Sequence, residues 1–390
     1  MPCEVLTTPI PVSSKMTQAA LNLSLARIIS QGLVEETAAD HPIAAVDNML
    51  ALQAQLPSSI PWAINLRVKE PSVCAIDEAF ESAELVRSWP MRGTIHVTSA
   101  QDHHWLRQVL RHRYRAWMRS FEEEGLTRAR IEEAAQIAYS SIASEGPQSR
   151  EELCAAWEQE GIRTGTRPQR EAALQAGERG TFLDRRNLFL ALHIEGFLVG
   201  GPKRGNSFLF CDARALPLAE GVAQGEGNHE AALAELARRY AWGHGPISVE
   251  DFSRWTSLTK RESRAALERA VRLKGSDRPI VLGESGYQRV DLDSLLSRCA
   301  DEARALFSFP SFDEIHVGYA DRSSMASSEA EKAICPAKNG MFRPIVIKDG
   351  RVIAVQDPRE GYAFLDSMRD EYDQSLLEEA KEIGEYLSGK

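Results

Sequence analysis

The sequence has no long apolar run and no targeting signal. No stretch approaches the ~20 consecutive apolar residues that span a bilayer, and the start, MPCEVLTTPIPVSSK, has neither the basic residues nor the apolar centre of a secretory signal. Hydrophobic residues make up 43% of the chain and charged residues 26%, which excludes a mainly disordered or collagen-like protein. We therefore expect a soluble, cytoplasmic protein of several domains in its 390 residues, without a membrane partner.

Paired cysteines and the common enzyme motifs are also missing. The six cysteines stand far apart, at positions 3, 74, 154, 211, 299 and 335, and none forms a CxxC pair. Residues 200–206 read GGPKRGN, with asparagine where a phosphate-binding P-loop requires lysine, and HExxH, GxSxG and GxGxxG do not occur. His103 and His104 are adjacent but have no accompanying set of carboxylates. We expect free thiols, no metal site and no organic cofactor.

The charge distribution leaves nucleic acid open as a partner. A net charge of −10 argues against binding a polyanion, but residues 107–119, RQVLRHRYRAWMR, contain five arginines and no acid. Acidic residues are concentrated instead in the tail, residues 360–390. The local field matters more to DNA than the total charge does.

The order of predicted elements is that of a winged helix in the first third of the chain. Residues 1–16, rich in Pro, Thr and Ser, are expected to be disordered. Helices are predicted from Thr17, from Pro42 to about Gln55 because Pro57 disfavours helix before it, and over 72–82. Residues 85–98 then predict a hairpin with Gly93 near its turn.

A repeat supports two further units of the same kind. Residues 145–153, EGPQSREEL, and 244–252, HGPISVEDF, share Gly-Pro, a serine and an acidic pair. Ser149 and Ser248 each stand where a helix N-cap is expected, and each copy is flanked by helices and ends in a hairpin signal. The alternative is that Gly-Pro-x-Ser is a common sequence at the junction between two helices and marks no repeat, and it stays open.

The fold class we predict is mainly α with β hairpins (α+β). Three tandem winged helices would occupy residues 17–120, 121–225 and 226–300, with a β-rich closing element over 301–390. That element contains an alternating hairpin at 342–356 with an Asp-Gly turn and ends in an acidic helix at about 366–387.

Gln53-Ala54-Gln55 is the motif of greatest chemical interest. Two glutamines near the end of a helix ordinarily mean solvated or capping side chains. In an ideal helix, side chains two residues apart diverge, so both amides could share one space only if the helix ended there.

The chain resembles the AlkZ/YcaQ family of bacterial DNA glycosylases from about residue 17 to 356. The resemblance is carried by an ordered series of segments: LALQAQLPSSIPWAINLR (50–67), VRSWPMRGTIHV (86–97), GGPKRGN (200–206), YAWGHGPISVEDFSRWTSL (240–258), FDEIHVGYADR (312–322) and NGMFRPIVIKDGRV (339–352). The family's tandem winged helices match the predicted architecture. Its Gln–hydrophobe–Gln signature, that of the AlkZ branch, falls on Gln53 and Gln55, which the resemblance makes the catalytic pair. The resemblance implies excision of N7-alkylguanine adducts, unhooking of interstrand crosslinks and, in some members, self-resistance of a toxin producer.

Two neutral amides suit this chemistry. An N7-alkylated guanine is a cation while attached to its sugar, so it leaves as a neutral base without a general acid. The remaining barrier is an oxocarbenium-like sugar and a water that must be held in place. Gln53 is expected to position that water with Gln55 as its partner, and because amides do not titrate, the rate should be nearly independent of pH from about 5.5 to 8.5.

Double-stranded DNA with alkylated purines is the expected partner of a monomer. Candidate DNA contacts are Arg87, Arg92, His96, Lys203, Arg204, Arg322 and Arg343, although any one of them could equally be a solvated charge. The alternative function is a non-catalytic winged-helix DNA-binding protein, a regulator or damage sensor. A protein-interaction scaffold would suit the acidic net charge.

Overall fold

The computed structural model describes residues 17–177, 182–219 and 229–390, apart from positions 358 and 360. The segment 1–16, expected to be disordered, lies outside these residues. Helices and strands both contribute to the fold, so the expected mixture of helix and hairpin is confirmed. In these ranges no helix is long and apolar enough to cross a membrane, and no three His, Cys, Asp or Glu side chains are grouped to hold a metal.

Seventeen α-helices are found in the described ranges. They are α1 (Gln18–Ser30), α2 (Pro42–Met49), α3 (Ser59–Asn65), α4 (Val73–Glu81), α5 (Ala100–Val109), α6 (Tyr114–Glu123), α7 (Arg128–Glu145), α8 (Arg150–Gln159), α9 (Arg167–Gln175), α10 (Arg185–Ile194), α11 (His229–His244), α12 (Val249–Thr256), α13 (Lys260–Ala270), α14 (Leu292–Cys299), α15 (Glu314–Val317), α16 (Ser328–Ile334) and α17 (Ser375–Ser388).

Thirteen strands accompany them in the same ranges. They are β1 (Leu52–Gln53), β2 (Leu85–Met91), β3 (Thr94–Ser99), β4 (Arg163–Gly165), β5 (Phe182–Asp184), β6 (Leu198–Arg204), β7 (Ser207–Asp212), β8 (Ile280–Gly283), β9 (Gly286–Arg289), β10 (Phe307–Phe309), β11 (Ile345–Lys348), β12 (Arg351–Asp357) and β13 (Gly361–Phe364). Hairpins occur at all four predicted places, as β2–β3, β6–β7, β8–β9 and β11–β12.

The prediction of a helix reaching Gln55 is wrong. Helix α2 ends at Met49, where Leu50 turns the backbone to a positive φ of 64°, and β1 then pairs antiparallel with β3. Side chains alternate sides along a strand, so Leu52 and Ala54 point into the core while Gln53 and Gln55 share the other side. Burial of the apolar residues Leu52 and Ala54 on one side favours a strand here over another helical turn.

The repeat is visible in the local structure. Ser149 and Ser248 each accept a hydrogen bond from the third residue of the helix that follows, and each completes a reciprocal capping box. In both copies the residue after Gly-Pro pairs with the second strand of the following hairpin, Gln148 with Phe210 and Ile247 with Tyr287. Strand β1 makes the corresponding pairing with β3 in the first unit. The division into three winged helices stays a prediction.

A shared sheet joins the first two units, and helix α1 joins the first unit to the closing element. Hairpins β2–β3 and β6–β7, together with β1, form one five-stranded sheet in the order β1-β3-β2-β6-β7, through the pairing of Arg87 with Gly200. The closing element has its own four-stranded sheet, in the order β10-β11-β12-β13. Helix α1 packs with α14 and that sheet, burying Leu25 and Ile28 beside Phe309, rather than in the core of the first unit.

Buried ion pairs fix the closing element to the first unit. Arg67 and Asp313, each about 1% exposed, form a bidentate pair with N–O distances of 2.7 and 2.9 Å. The acidic C-terminal helix α17 begins at Ser375 rather than near residue 366, where the chain forms a short 3-10 turn. It packs on α3, where Asn65 Nδ2 donates to the Leu387 carbonyl oxygen at 2.9 Å.

Candidate active site

Gln53 lies where the first unit, the third unit and the closing element meet. Its half-buried side chain projects from β1, and its Oε1 accepts a hydrogen bond from Arg92 Nη2 at 3.3 Å. Because a guanidinium has donors and no acceptor, the atom that faces Arg92 must be the amide oxygen of Gln53. One lone pair of that oxygen is therefore occupied, and within the described ranges no second donor reaches it.

Arg92 reaches Gln53 because of a tight hairpin turn. Arg92 and Gly93 join β2 to β3 with φ of 53° and 76°, the positive values that the favoured two-residue hairpin turns require. A Cβ at Gly93 would lie 2.2 Å from the Trp117 ring, so this tip packs against α6 instead of extending into solvent. Arg92 was predicted as a contact on a DNA-binding wing, but its side chain is 11% exposed and points into the protein.

His96 completes the support of Arg92 on the first unit. The His96 ring is fully buried, with Nδ1 3.0 Å from the Thr94 carbonyl oxygen and Nε2 3.0 Å from Arg92 Nη2. The carbonyl requires a proton on Nδ1, which leaves Nε2 as the acceptor for Arg92. Burial, followed by the charge of Arg92, lowers the pKa of His96 to about 3. His96 is therefore neutral and enclosed, a placement that does not fit its predicted role as a direct DNA contact.

Glu314 supplies the counter-charge from the closing element. It stands at the start of α15, its side chain is 0% exposed, and its Oε1 accepts from Arg92 Nη2 at 2.9 Å. Its Oε2 accepts from Trp255 Nε1 at 3.2 Å and lies 3.4 Å from His244 Nε2. Burial would raise the pKa of Glu314, but Arg92 and His244 overcome that effect and hold the pKa well below its usual range. Arg92 and Glu314 are thus an ionised, mutually neutralising pair beside Gln53.

The arrangement can hold a neutral amide in one orientation without adding net charge. Arg92 Nη2 shares its two hydrogens among three acceptors, the oxygen of Gln53, His96 Nε2 and Glu314 Oε1, and burial of these groups limits their freedom to rotate. Such preorganisation is what positions a water molecule or stabilises a developing charge at low reorganisation cost.

The other predicted residues divide into two groups. Gln55 is exposed beside Gln53, and Arg87 Nε and Nη2 donate to the carbonyl oxygen of Ala54, between the two glutamines, at 3.2 and 3.1 Å. The remaining four cations pair with carboxylates: Lys203 with Asp77 at 2.7 Å, Arg204 with Glu152 at 2.7 Å, Arg322 with Glu331 at 3.0 Å, and Arg343 with Asp357 at 3.0 Å. Their contacts with DNA stay predictions.

Sequence reasoning missed Glu314, His244 and Trp255. All three stand inside segments that carried the family resemblance, 240–258 and 312–322, so the segments were identified without the roles of these side chains. The signal was an acidic pair, Asp313-Glu314, in an otherwise apolar stretch, since two such carboxylates are rarely buried unless they are paired.

The comparisons with known proteins identify the family of the chain. The model of the family described as DNA glycosylase AlkZ-like matches residues 46–365, which include Gln53, Arg92, His244 and Glu314. The chain therefore belongs to the AlkZ-like family of DNA glycosylases and is an enzyme of that class.

Particular relatives come from Streptomyces sahachiroi. The chain is 22% identical to the interstrand DNA cross-link repair glycosylase of that organism, over 80% of each protein. It is also similar to the solved structure of the Streptomyces sahachiroi DNA glycosylase AlkZ, with a TM-score of 0.64, 20% identity and coverage of 94% of this chain and 96% of that one. At this identity the structural likeness establishes the fold.

Proposed function

We propose that the chain hydrolyses the N-glycosidic bond of cationic N-alkylated purines, of the N7-alkylguanine type, in double-stranded DNA. The observation that supports this most directly is the half-buried amide of Gln53, held by Arg92 in a chain of the AlkZ-like family. The enzyme would act as a monomer in the cytoplasm, on the DNA of the nucleoid, without a metal or organic cofactor.

The chemistry asks for a positioned water rather than an acid. The cationic base departs as a neutral molecule, so no side chain needs to protonate it. In this proposal the free lone pair of Gln53 Oε1 accepts a hydrogen bond from the attacking water, and Gln55 contacts the same water or the sugar. The amide dipole of Gln53 also faces the positive charge that develops on the sugar.

Arg92, His96 and Glu314 take positioning roles in this proposal. Arg92 would otherwise place a positive charge beside a sugar that is itself becoming positive. The carboxylate of Glu314, 2.9 Å from Arg92, cancels that charge, and His96 holds the guanidinium without adding one. We therefore assign Arg92 and His96 to the support of Gln53 rather than to contact with DNA.

Crosslinked and bulky adducts are proposed as further substrates. The relative from Streptomyces sahachiroi is named for interstrand cross-link repair. Gln53 is half-buried and Gln55 exposed, so these amides lie near the protein surface and a large adduct would not have to enter a closed cavity. A role in self-resistance to an alkylating natural product would follow from the same property.

A base-release assay tests the proposed reaction. A duplex containing 7-methylguanine is incubated with the wild-type protein, with Gln53→Ala and with Gln136→Ala, an exposed glutamine of α7 that serves as the matched control. We expect free 7-methylguanine from the wild type and the control, and a rate about 10²–10³-fold lower from Gln53→Ala, the range seen when one preorganised polar group is removed. Tight binding without release by the wild type would favour the regulator or damage sensor instead.

A further inference from the structure

A cavity of about 220 Å³ adjoins the Gln53–Gln55 segment and has no role in the reaction described above. It lies between the hairpins β2–β3 and β6–β7 and the start of α8, and Pro57 forms part of its wall. Its volume would hold about seven water molecules at 30 Å³ each. Two arginines, Arg87 and Arg150, line it together with aromatic rings.

Arg87 forms the inner wall of the cavity. Its guanidinium donates to the Ala54 carbonyl oxygen and lies 5.1 Å from the Phe208 ring centre. In the described part of the chain it has no carboxylate partner. Burial, followed by the charge of Arg150, lowers the pKa of Arg87 to about 10.

Arg150 stands at the mouth of the same cavity. Its Cζ lies 4.4 Å from the ring centre of Phe189 and 5.9 Å from that of Phe210. Among the described residues its side chain makes neither a hydrogen bond nor an ion pair. Arg150 and its neighbour Glu151, which also lines the cavity, are both exposed. Desolvation lowers the pKa of Arg150, and the charge of Glu151 opposes that shift.

Arg87 differs from the buried arginines of the described residues. Those four each contact a carboxylate: Arg27 with Asp251, Arg67 with Asp313, Arg238 with Glu235, and Arg239 with Asp102. Partial desolvation of the Arg87 guanidinium without a counter-charge is unfavourable, and it also faces the guanidinium of Arg150 across one cavity. An anion between them would remove both penalties.

We propose that this cavity binds a phosphate group, namely the DNA phosphodiester next to the nucleotide whose glycosidic bond is hydrolysed at Gln53 and Gln55. Guanidinium groups match phosphate oxygens in geometry and charge, and they retain that charge at neutral pH. Arg87 contacts both the cavity and the backbone of Ala54, so a phosphate here would be held at a fixed distance from the two amides. This inference rests on the proposed action on DNA.

Arg150→Ala tests the phosphate site, with Arg167→Ala as the matched control. Arg167 is also the first residue of a helix in the same unit, but it is exposed and pairs with Glu171 within α9. Affinity for an undamaged duplex is measured at several salt concentrations. We expect Arg150→Ala to bind the duplex about tenfold more weakly. The slope of log affinity against log salt concentration should fall by the equivalent of about one phosphate contact. Arg167→Ala should change neither the affinity nor the slope.

A second measurement locates the phosphate. Single phosphates around a 7-methylguanine are replaced by uncharged methylphosphonate, one per duplex. Wild type should lose about tenfold in affinity at one position, and Arg150→Ala should lose nothing further there. Equal losses for both proteins at every position would overturn the proposal. The proposal would also be overturned if millimolar inorganic phosphate bound to the wild-type cavity while no methylphosphonate position in DNA gave a loss that depended on Arg150. That result would assign the cavity to a free anion.

Binding and catalysis are separated by this design. No step of the affinity measurement requires base release, so the phosphate site can be established on a protein that releases no base. If the protein releases base but no methylphosphonate effect depends on Arg150, the glycosylase proposal stands and the phosphate site is refuted.

Discussion

Replacing Glu314 by glutamine tests whether the buried counter-charge matters to catalysis. The substitution preserves shape but leaves the charge of Arg92 uncompensated. Arg92 Nη2 lies 3.3 Å from Gln53 Oε1. A hydrogen bond of about 3 Å would lead from that oxygen to the water, and a contact of about 3 Å from the water to the sugar, so the charge stands about 9 Å from the sugar. A unit charge at that distance, with an effective dielectric constant of about 20, opposes the developing sugar cation by about 2 kcal/mol. We expect base release to slow about 20-fold.

The same substitution lowers stability, which the assay must separate from catalysis. Breaking a buried ion pair by removing one partner costs about 3–5 kcal/mol. Asp102→Asn is the matched control, since Asp102 is a buried carboxylate paired with Arg239 at 2.6 Å in the contact between α5 and α11. Single-turnover base release is measured at a temperature where thermal denaturation curves show both variants folded.

Three outcomes decide the matter. A slow Glu314→Gln beside a nearly unaffected Asp102→Asn supports the electrostatic role. Combining Glu314→Gln with Arg92→Met should give an enzyme no slower than Arg92→Met alone, because Glu314 acts through Arg92. Full activity in Glu314→Gln, or equal slowing in both carboxylate variants, would refute the reasoning.

Two further predictions concern pH. The rate of base release should be nearly constant between about pH 5.5 and 8.5, because Gln53 and Gln55 do not titrate and the pKa of His96 is lowered to about 3; a bell-shaped profile in single-turnover assays would indicate a titrating catalyst instead. Stability should fall as the pH drops below about 6.5, because burial lowers the pKa of His193, like that of His96, to about 3, so the unfolded chain binds protons that the native protein does not. Each of these histidines contributes up to about 1.4 kcal/mol per pH unit to the pH dependence of the free energy of unfolding, which urea denaturation measures. His193→Phe should reduce the slope of that free energy against pH by this amount. An unchanged slope would contradict the assignment.

The sequence predicted the elements whose causes are local. The Asp349-Gly350 turn between alternating strands marked β11–β12, and the spacing of Gly-Pro and serine marked two capped helices. These features depend on turn and cap chemistry within a few residues, which can be recognised without knowing the tertiary fold.

Strand β1 and the support of Gln53 could not be predicted in this way. Pro57 gave a local reason for a helix to end near Gln55, but the chain leaves the helix at Leu50 because residues 52–54 pair with a strand more than 40 residues further on. Glu314 meets Arg92 across 222 positions, and its importance depends on a burial that no local pattern encodes. The cavity between Arg87 and Arg150 likewise exists because two hairpins merge into one sheet.

The packing of α1 against the last quarter of the chain has a consequence for biosynthesis. Helix α1 emerges early from the ribosome, yet its buried partners around Phe309 and the strand β11 follow some 280 residues later. Until then its apolar face has no native surface to cover it, and Arg92 has no carboxylate. The nascent protein is therefore expected to acquire a competent catalytic centre at the end of translation, so that a ribosome stalled before residue 314 holds an inactive chain.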